Sequence, residues 1–151
     1  MCNTDTKVAK IGSKCPYCGE EVLYSKDSTF IYGRDYGGVF YCKNYPKCDS
    51  YVGTHKTKKP KALGRLANGE LRLAKKMAHK YFDRLWRAKM KLGYKKQVAR
   101  SLGYKWLSQQ LNIDPKYTHI GMFDVETCQK VVSLCKPYSE RLGYRDWELN
   151  L

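Results

Sequence analysis

The sequence predicts an α+β chain, a small antiparallel sheet followed by a basic helical domain of about three helices. Three observations predict it. Two close cysteine pairs bracket short β-rich runs in the first third, a helical apolar period takes over from about Gly69, and the Lys/Arg excess is confined to the middle of the 151 residues.

The cysteine quartet comes first. Cys15-Pro16-Tyr17-Cys18-Gly19 leaves two residues between its sulfurs, a loop short enough for both thiolates to reach one ion, and Gly19 supplies the left-handed turn that takes the backbone away. Cys42-Lys43-Asn44-Tyr45-Pro46-Lys47-Cys48 leaves five, in a loop stiffened by Pro46. Two close pairs on two turns are what a tetrahedral ion requires, so Cys15, Cys18, Cys42 and Cys48 read as one structural Zn2+ site. Disulfides or buried thiols are the alternative. Met1 to Lys14 carries Asp5, Lys7 and Lys10 and no apolar run of leader type, so a reducing cytoplasm is expected, where such spacing favours a metal. Iron also accepts four thiolates, but a closed site of this spacing favours zinc.

Between the pairs lie 23 residues, room for two or three short strands. Glu21 to Tyr24 and Phe30 to Tyr32 are β-rich and broken by Ser25-Lys26-Asp27-Ser28, and Val39-Phe40-Tyr41 follows the Asp35-Tyr36-Gly37-Gly38 turn. The expected result is a zinc ribbon over 1–55, pinned at one end by the metal and too small to fold without it. Residues 56–68 form a basic connector, in which Pro60 forbids helix throughout Lys56 to Lys61.

The helical domain is expected over 69–151. Ala74, Met77, Tyr81, Leu85, Ala88 and Leu92 recur at three- and four-residue steps, predicting a helix from Gly69 to about Lys91 with Asn68 as N-cap and Gly93 as stop. A second helix is predicted from about Lys96 to Leu111 through Val98, Leu102, Trp106, Leu107 and Leu111, weakened by Gly103. A third is predicted to start behind Asp124 and end at about Lys136, before Pro137, with Val125, Cys128, Val131, Val132 and Cys135 inward. Tyr138 to Leu151 reads as a short polar tail carrying Trp147. Leu-Gly-Tyr occurs at residues 92, 102 and 142, a spacing that makes no solenoid and points to chance or helix-end chemistry.

Charge bounds the function. Of the net +15, residues 56–108 carry 17 Lys/Arg against 2 Asp/Glu, while the flanking segments are near neutral. Such a confined excess is the footprint of a polyanion partner, nucleic acid being the commonest, against the alternative of a merely solvated face. No stretch is apolar enough to span a membrane. Tyr17, Phe30, Tyr32, Tyr36, Phe40, Tyr41, Tyr45 and Tyr51 crowd a sheet too small to bury them all, and two or three are expected to be exposed as stacking platforms. The candidate nucleic-acid contacts are Tyr32, Arg34, Tyr36 and Tyr45 on the ribbon, Lys56, Lys58 and Lys59 on the connector, and Arg72, Lys75, Lys76, Lys80, Arg84 and Arg87 on the first long helix.

The cysteine motifs resemble the four-cysteine zinc ribbons at the C-terminus of bacterial type I DNA topoisomerases, which carry a Cys-Pro-x-Cys-Gly pair and a Cys-x-x-Tyr-Pro-x-Cys pair, here over about residues 15–55. In those enzymes the ribbons bind single-stranded DNA and do not cut it, so the resemblance implies single-stranded DNA binding; it does not extend to the catalytic tyrosine domain, and strand passage is not implied. A longer set, including Tyr32-Gly33-Arg34, Tyr51-Val52-Gly53-Thr54-His55, Leu63-Gly64-Arg65-Leu66-Ala67, Phe82-Asp83-Arg84-Leu85-Trp86 and His119-Ile120-Gly121-Met122-Phe123-Asp124, resembles zinc-finger-containing proteins encoded by phages and prophages, over nearly the whole chain to Cys135. It implies a phage or mobile-element origin and carries no activity with it.

Catalysis has a thin basis. His55 or His79 with Asp83 is a candidate for a metal-dependent nuclease, but no His/Asp/Glu cluster has recognisable spacing. Cys128 and Cys135 have core spacing, with a second metal site involving His119 as the alternative, and Cys2 is expected to be a free thiol. The sequence therefore predicts a cytoplasmic, zinc-stabilised, non-enzymatic nucleic-acid-binding protein of phage type that prefers single-stranded DNA, with DNA favoured over RNA and no small-molecule substrate. The alternative is a phage inhibitor of a host machine acting by protein contact, such as an anti-CRISPR protein on an RNA-guided nuclease or another host nucleoprotein, or an RNA polymerase inhibitor.

Overall fold

The computed structural model describes residues 8–143, so Cys2 and Trp147 lie outside the described residues. The predicted α+β class is the observed one. Strands β1 (Val22–Ser25), β2 (Val39–Cys42) and β3 (Tyr51–Gly53) form one antiparallel sheet in that order, and the helices are α1 (Thr29–Tyr32), α2 (Gly69–Met90), α3 (Lys96–Leu111) and α4 (Val125–Arg141). The chain divides into two compact units, with the boundary between Arg72 and Leu73 in the first turn of α2.

In the first unit the register pairs Tyr24 with Phe40 and Phe40 with Val52, which puts these rings with Val22 and Cys42 on one face. That face packs on Ala9, Cys15, Ala62 and Leu66 as a small core. Leu23, Tyr41 and Tyr51 share the opposite face. The predicted strand Phe30–Tyr32 is instead the single turn α1. Asp27 accepts from the Thr29 N–H and hydroxyl, and buried Ser28 donates to Asp35 and accepts from the Tyr36 N–H. These short-range side-chain bonds compete with a ladder and win. The third strand is β3, and beyond it residues 61–67 run antiparallel, with bridges Thr54–Ala62 and Tyr51–Ala67, so the sheet edge is covered.

Helix α2, whose first turn belongs to the first unit and the rest to the second, matches its predicted span, and its start is fixed by Asn68, whose Oδ1 accepts from the Leu71 N–H at 3.0 Å. Gly93, at φ +101°, stops it. The buried line on α2 is Leu71, Ala78, Phe82 and Trp86 with Tyr81, one position out of phase from the predicted stripe, and Leu92, expected inward, is exposed. Both phases are apolar in sequence, and the largest rings decide between them. Gly103 lies where α3 approaches α2: a Cβ there would meet Trp86 Cβ at 2.9 Å and Phe82 Cζ at 3.3 Å. The buried positions of α3 are accordingly Ala99, Gly103, Leu107 and Ser108, and Val98 and Leu102 face outward.

Asp124 caps α4 as predicted, accepting from the Thr127 N–H at 2.8 Å. The helix does not end before Pro137 but runs through it to Arg141. The lost backbone bond is offset by packing, because Cys135 and Ser139 are buried on one face on either side of the exposed proline, and Arg84 donates to the Ser139 hydroxyl at 3.4 Å. Leu92-Gly93 and Leu142-Gly143 fall at helix ends, whereas Leu102-Gly103 lies inside α3. Among the described residues no helix is long and apolar enough to cross a membrane.

Candidate metal centre and nucleic-acid interface

The four cysteines converge at the end of the sheet where β1 begins and β2 ends. In the first turn the Gly19 N–H donates to the Cys15 carbonyl at 2.9 Å, with Gly19 at φ +80°. In the second, the Tyr45 N–H donates to the Cys42 carbonyl and the Cys48 N–H to the Asn44 carbonyl, around a cis Tyr45–Pro46 peptide. The four Sγ atoms lie within 4.8 Å of one another, with Cys15–Cys48 at 3.7 Å and Cys18–Cys42 at 3.3 Å. Tetrahedral bonds of about 2.3 Å to zinc put sulfurs roughly 3.8 Å apart, so the quartet fits a single ion. Among the described residues this is the one group of three or more His, Cys, Asp or Glu side chains placed to share an ion, and His119 with Cys128 and Cys135 does not form another.

Ser50 was invisible as a site residue in the sequence. It is fully buried, and its hydroxyl reaches Cys15 Sγ at 3.3 Å and Cys48 Sγ at 3.4 Å. The Asn44 N–H donates to Cys42 Sγ at 3.4 Å. Burial acts to raise the Cys15 thiol, but Ser50 and the Tyr17 and Cys18 backbone outweigh it and hold it at about 7. Burial pushes Cys42 and Cys48 up. Four thiolates this close ionise together only around a shared cation.

A three-stranded antiparallel sheet with four cysteines on two turns defines a metal-binding module of zinc-finger type. The chain belongs to the zinc-finger-containing domain family, whose sequence model matches residues 11–138. No curated protein and no solved structure matches it significantly.

The outer face of the sheet carries a chain of rings. Phe30 meets Tyr41 at 4.9 Å and Tyr45 at 5.7 Å, Tyr51 lies between Tyr45 and Tyr32, and Tyr32 meets Tyr36 at 5.5 Å, all near edge-to-face. Tyr17, Phe30, Tyr32 and Tyr36 are exposed, four rather than two or three, with Tyr36 most open at 64%. Tyr41, Tyr45 and Tyr51 are half-buried and Phe40 is buried. The Arg34 guanidinium sits 5.1 Å from the Tyr36 ring centre.

The predicted cations divide. Lys56, Lys58, Lys59, Lys76 and Arg87 are exposed, whereas Lys75, Lys80 and Arg84 are half-buried. Arg72 is committed to the fold of the first unit: it pairs with Asp49 at 3.1 Å, donates to the Asp49 and Ala67 carbonyls, and lies 4.1 Å over Tyr51. His79 and Asp83 do meet, at 3.4 Å, but Asp83 also accepts from the Trp86 indole at 3.0 Å. Burial acts to raise the Asp83 carboxyl, and His79 and Trp86 outweigh it and hold it below the usual range.

Proposed function

We propose that this chain is a zinc-stabilised nucleic-acid-binding protein of phage type, acting in the host cytoplasm, with single-stranded DNA as preferred ligand. One Zn2+ held by Cys15, Cys18, Cys42 and Cys48 supplies folding energy to the ribbon and takes no part in chemistry. The observation that carries the reading is the aromatic chain from Tyr41 to Tyr36, with three open rings and Arg34 beside the last. Bases stack on such rings whatever their identity, each for about 1 to 3 kcal/mol. Of the cations expected from sequence to meet phosphates, Lys56, Lys58, Lys59, Lys76 and Arg87 are exposed.

Titration of the zinc-loaded protein against labelled single-stranded and duplex oligonucleotides at low and near-physiological salt tests this. Tight, salt-dependent binding with a single-strand preference, weakened about 10-fold or more by Tyr32→Ala/Tyr36→Ala, is expected. Absent or salt-insensitive binding sinks it.

A second reading, inhibition of a host machine by protein contact, is favoured by one feature. A groove of about 540 Å³ in the helical unit is lined by Phe82, Trp86, Leu92, Leu102 and Leu142 and bordered by Lys89 and Arg141, which suits an acidic amphipathic helix. A stoichiometric partner captured from nuclease-treated host lysate and lost on Leu92→Glu would favour this reading over the first.

A further inference from the structure

The helical unit has a second cationic surface that the ribbon reading leaves unused. A cleft of about 1020 Å³ lies between α3 and the segment that carries Pro115, Thr118 and His119, which begins with the 3-10 turn Pro115–Tyr117. Lys96, Arg100 and Lys105 enter it from α3 at steps of four and five residues, and among the described residues no Asp or Glu lines it. All three cations are exposed, as is His119, whose ring stands 5.4 Å from that of Tyr104. Arg100 lies 5.0 Å over the same tyrosine.

The first turn of α3 reaches this cleft and runs against helix electrostatics. Its N-cap, Lys95, makes no side-chain bond, and the first turn has no acid. Lys95 and Lys96 thus add positive charge at the positive end of the dipole, an arrangement that an anion relieves. His119 also titrates below its ordinary range, through burial first and Arg100 second.

We propose that this cleft holds the phosphates of a nucleic-acid strand against Lys96, Arg100 and Lys105, with the His119 ring open to a base. The proposal rests on the nucleic-acid reading of the chain and adds a contact surface independent of the ribbon's rings.

The test titrates oligothymidylate into the zinc-loaded full chain at several salt concentrations, following the His119 ring by NMR. Lys96→Gln/Arg100→Gln/Lys105→Gln is expected to make the log K against log salt slope shallower by about 2 and to abolish the His119 shift seen in the wild type. Lys96→Gln/Lys105→Gln, which keeps the Arg100–Tyr104 contact, should lose about 1.4 of the slope. Wild-type affinity and slope in both variants, with binding lost in Tyr32→Ala/Tyr36→Ala, overturns the cleft and leaves the ribbon reading standing. Loss in the cleft variants with none in the tyrosine variant upholds the cleft and overturns the ribbon platform. An equal His119 shift from thymidine monophosphate at matched phosphate makes the cleft a mononucleotide site and overturns the strand.

Discussion

The two units are held by different means. The ribbon packs a small cluster of eight buried residues, two of them cysteines of the candidate metal site, and its three strands contribute four, four and three residues. The helical unit buries Phe82, Trp86, Leu107, Ile120, Phe123 and Val131 around long helices. A sheet that small cannot repay its conformational entropy by burial alone, whereas an amphipathic helical unit can. The ribbon should therefore respond to its sulfurs and the helical unit to its packing, and each should be largely indifferent to changes in the other.

The largest expected effect is that of Cys18→Ser. Cys18 is exposed, so the change removes little packing. It should nevertheless abolish metal content and collapse the dispersed β amide signals in NMR, because structural zinc is worth about 10 to 16 kcal/mol in small modules. The helical circular dichroism should persist. A variant that keeps its metal and its sheet would show that the ribbon folds without this sulfur.

Gly103→Ala is the counterpart in the helical unit. Alanine raises helix propensity by about 1 kcal/mol, yet its methyl would press on Trp86 Cβ and Phe82. We expect a net loss of about 1 to 3 kcal/mol, read as an earlier denaturant midpoint in Trp fluorescence. All three tryptophans lie at or after position 86, so the ribbon does not contribute to that signal, and metal content should not change.

Ser50→Ala sharpens the ribbon side. Losing the hydroxyl that reaches two sulfurs should weaken zinc affinity by about 10- to 100-fold in chelator competition while the sheet survives in saturating metal. Unchanged affinity would show that Ser50 only fills space.

The smallest effect is that of Asp83→Asn, about 1 kcal/mol at neutral pH from the weakened Trp86 and His79 bonds. The folded pKa of Asp83 lies below its unfolded value. Its contribution is therefore complete above the unfolded value of about 3.9 and is lost as pH falls through the lowered folded one. The Trp-monitored acid transition should be flatter in the variant below pH 4. An identical acid profile would remove Asp83 from the stability of this unit.

Local chemistry was legible wherever it acts over a few residues. The quartet Cys15, Cys18, Cys42 and Cys48 could be read from spacing because a knuckle is a local object. Asn68 and Asp124 could be read as caps because a cap needs only its own first turn. Phe30–Tyr32 has the β propensity of a strand, but the Asp27, Ser28 and Asp35 bonds wind it into a turn. Pro137 does not end α4, because packing of Cys135 and Ser139 carries the helix past it.

By itself the sequence determined the α+β class, the four sulfurs and the confinement of positive charge, all of which follow from residue type and short spacing. Tertiary structure alone decided the rest. It chose the phase of α2 through Phe82 and Trp86 against Gly103, brought Ser50 onto two sulfurs, joined separate rings into one outer face, and gathered Lys96, Arg100, Lys105 and His119 around a cleft that no acid among the described residues lines. Each of these depends on residues far apart in the chain, and which distant surfaces meet is set by packing, which no local period encodes.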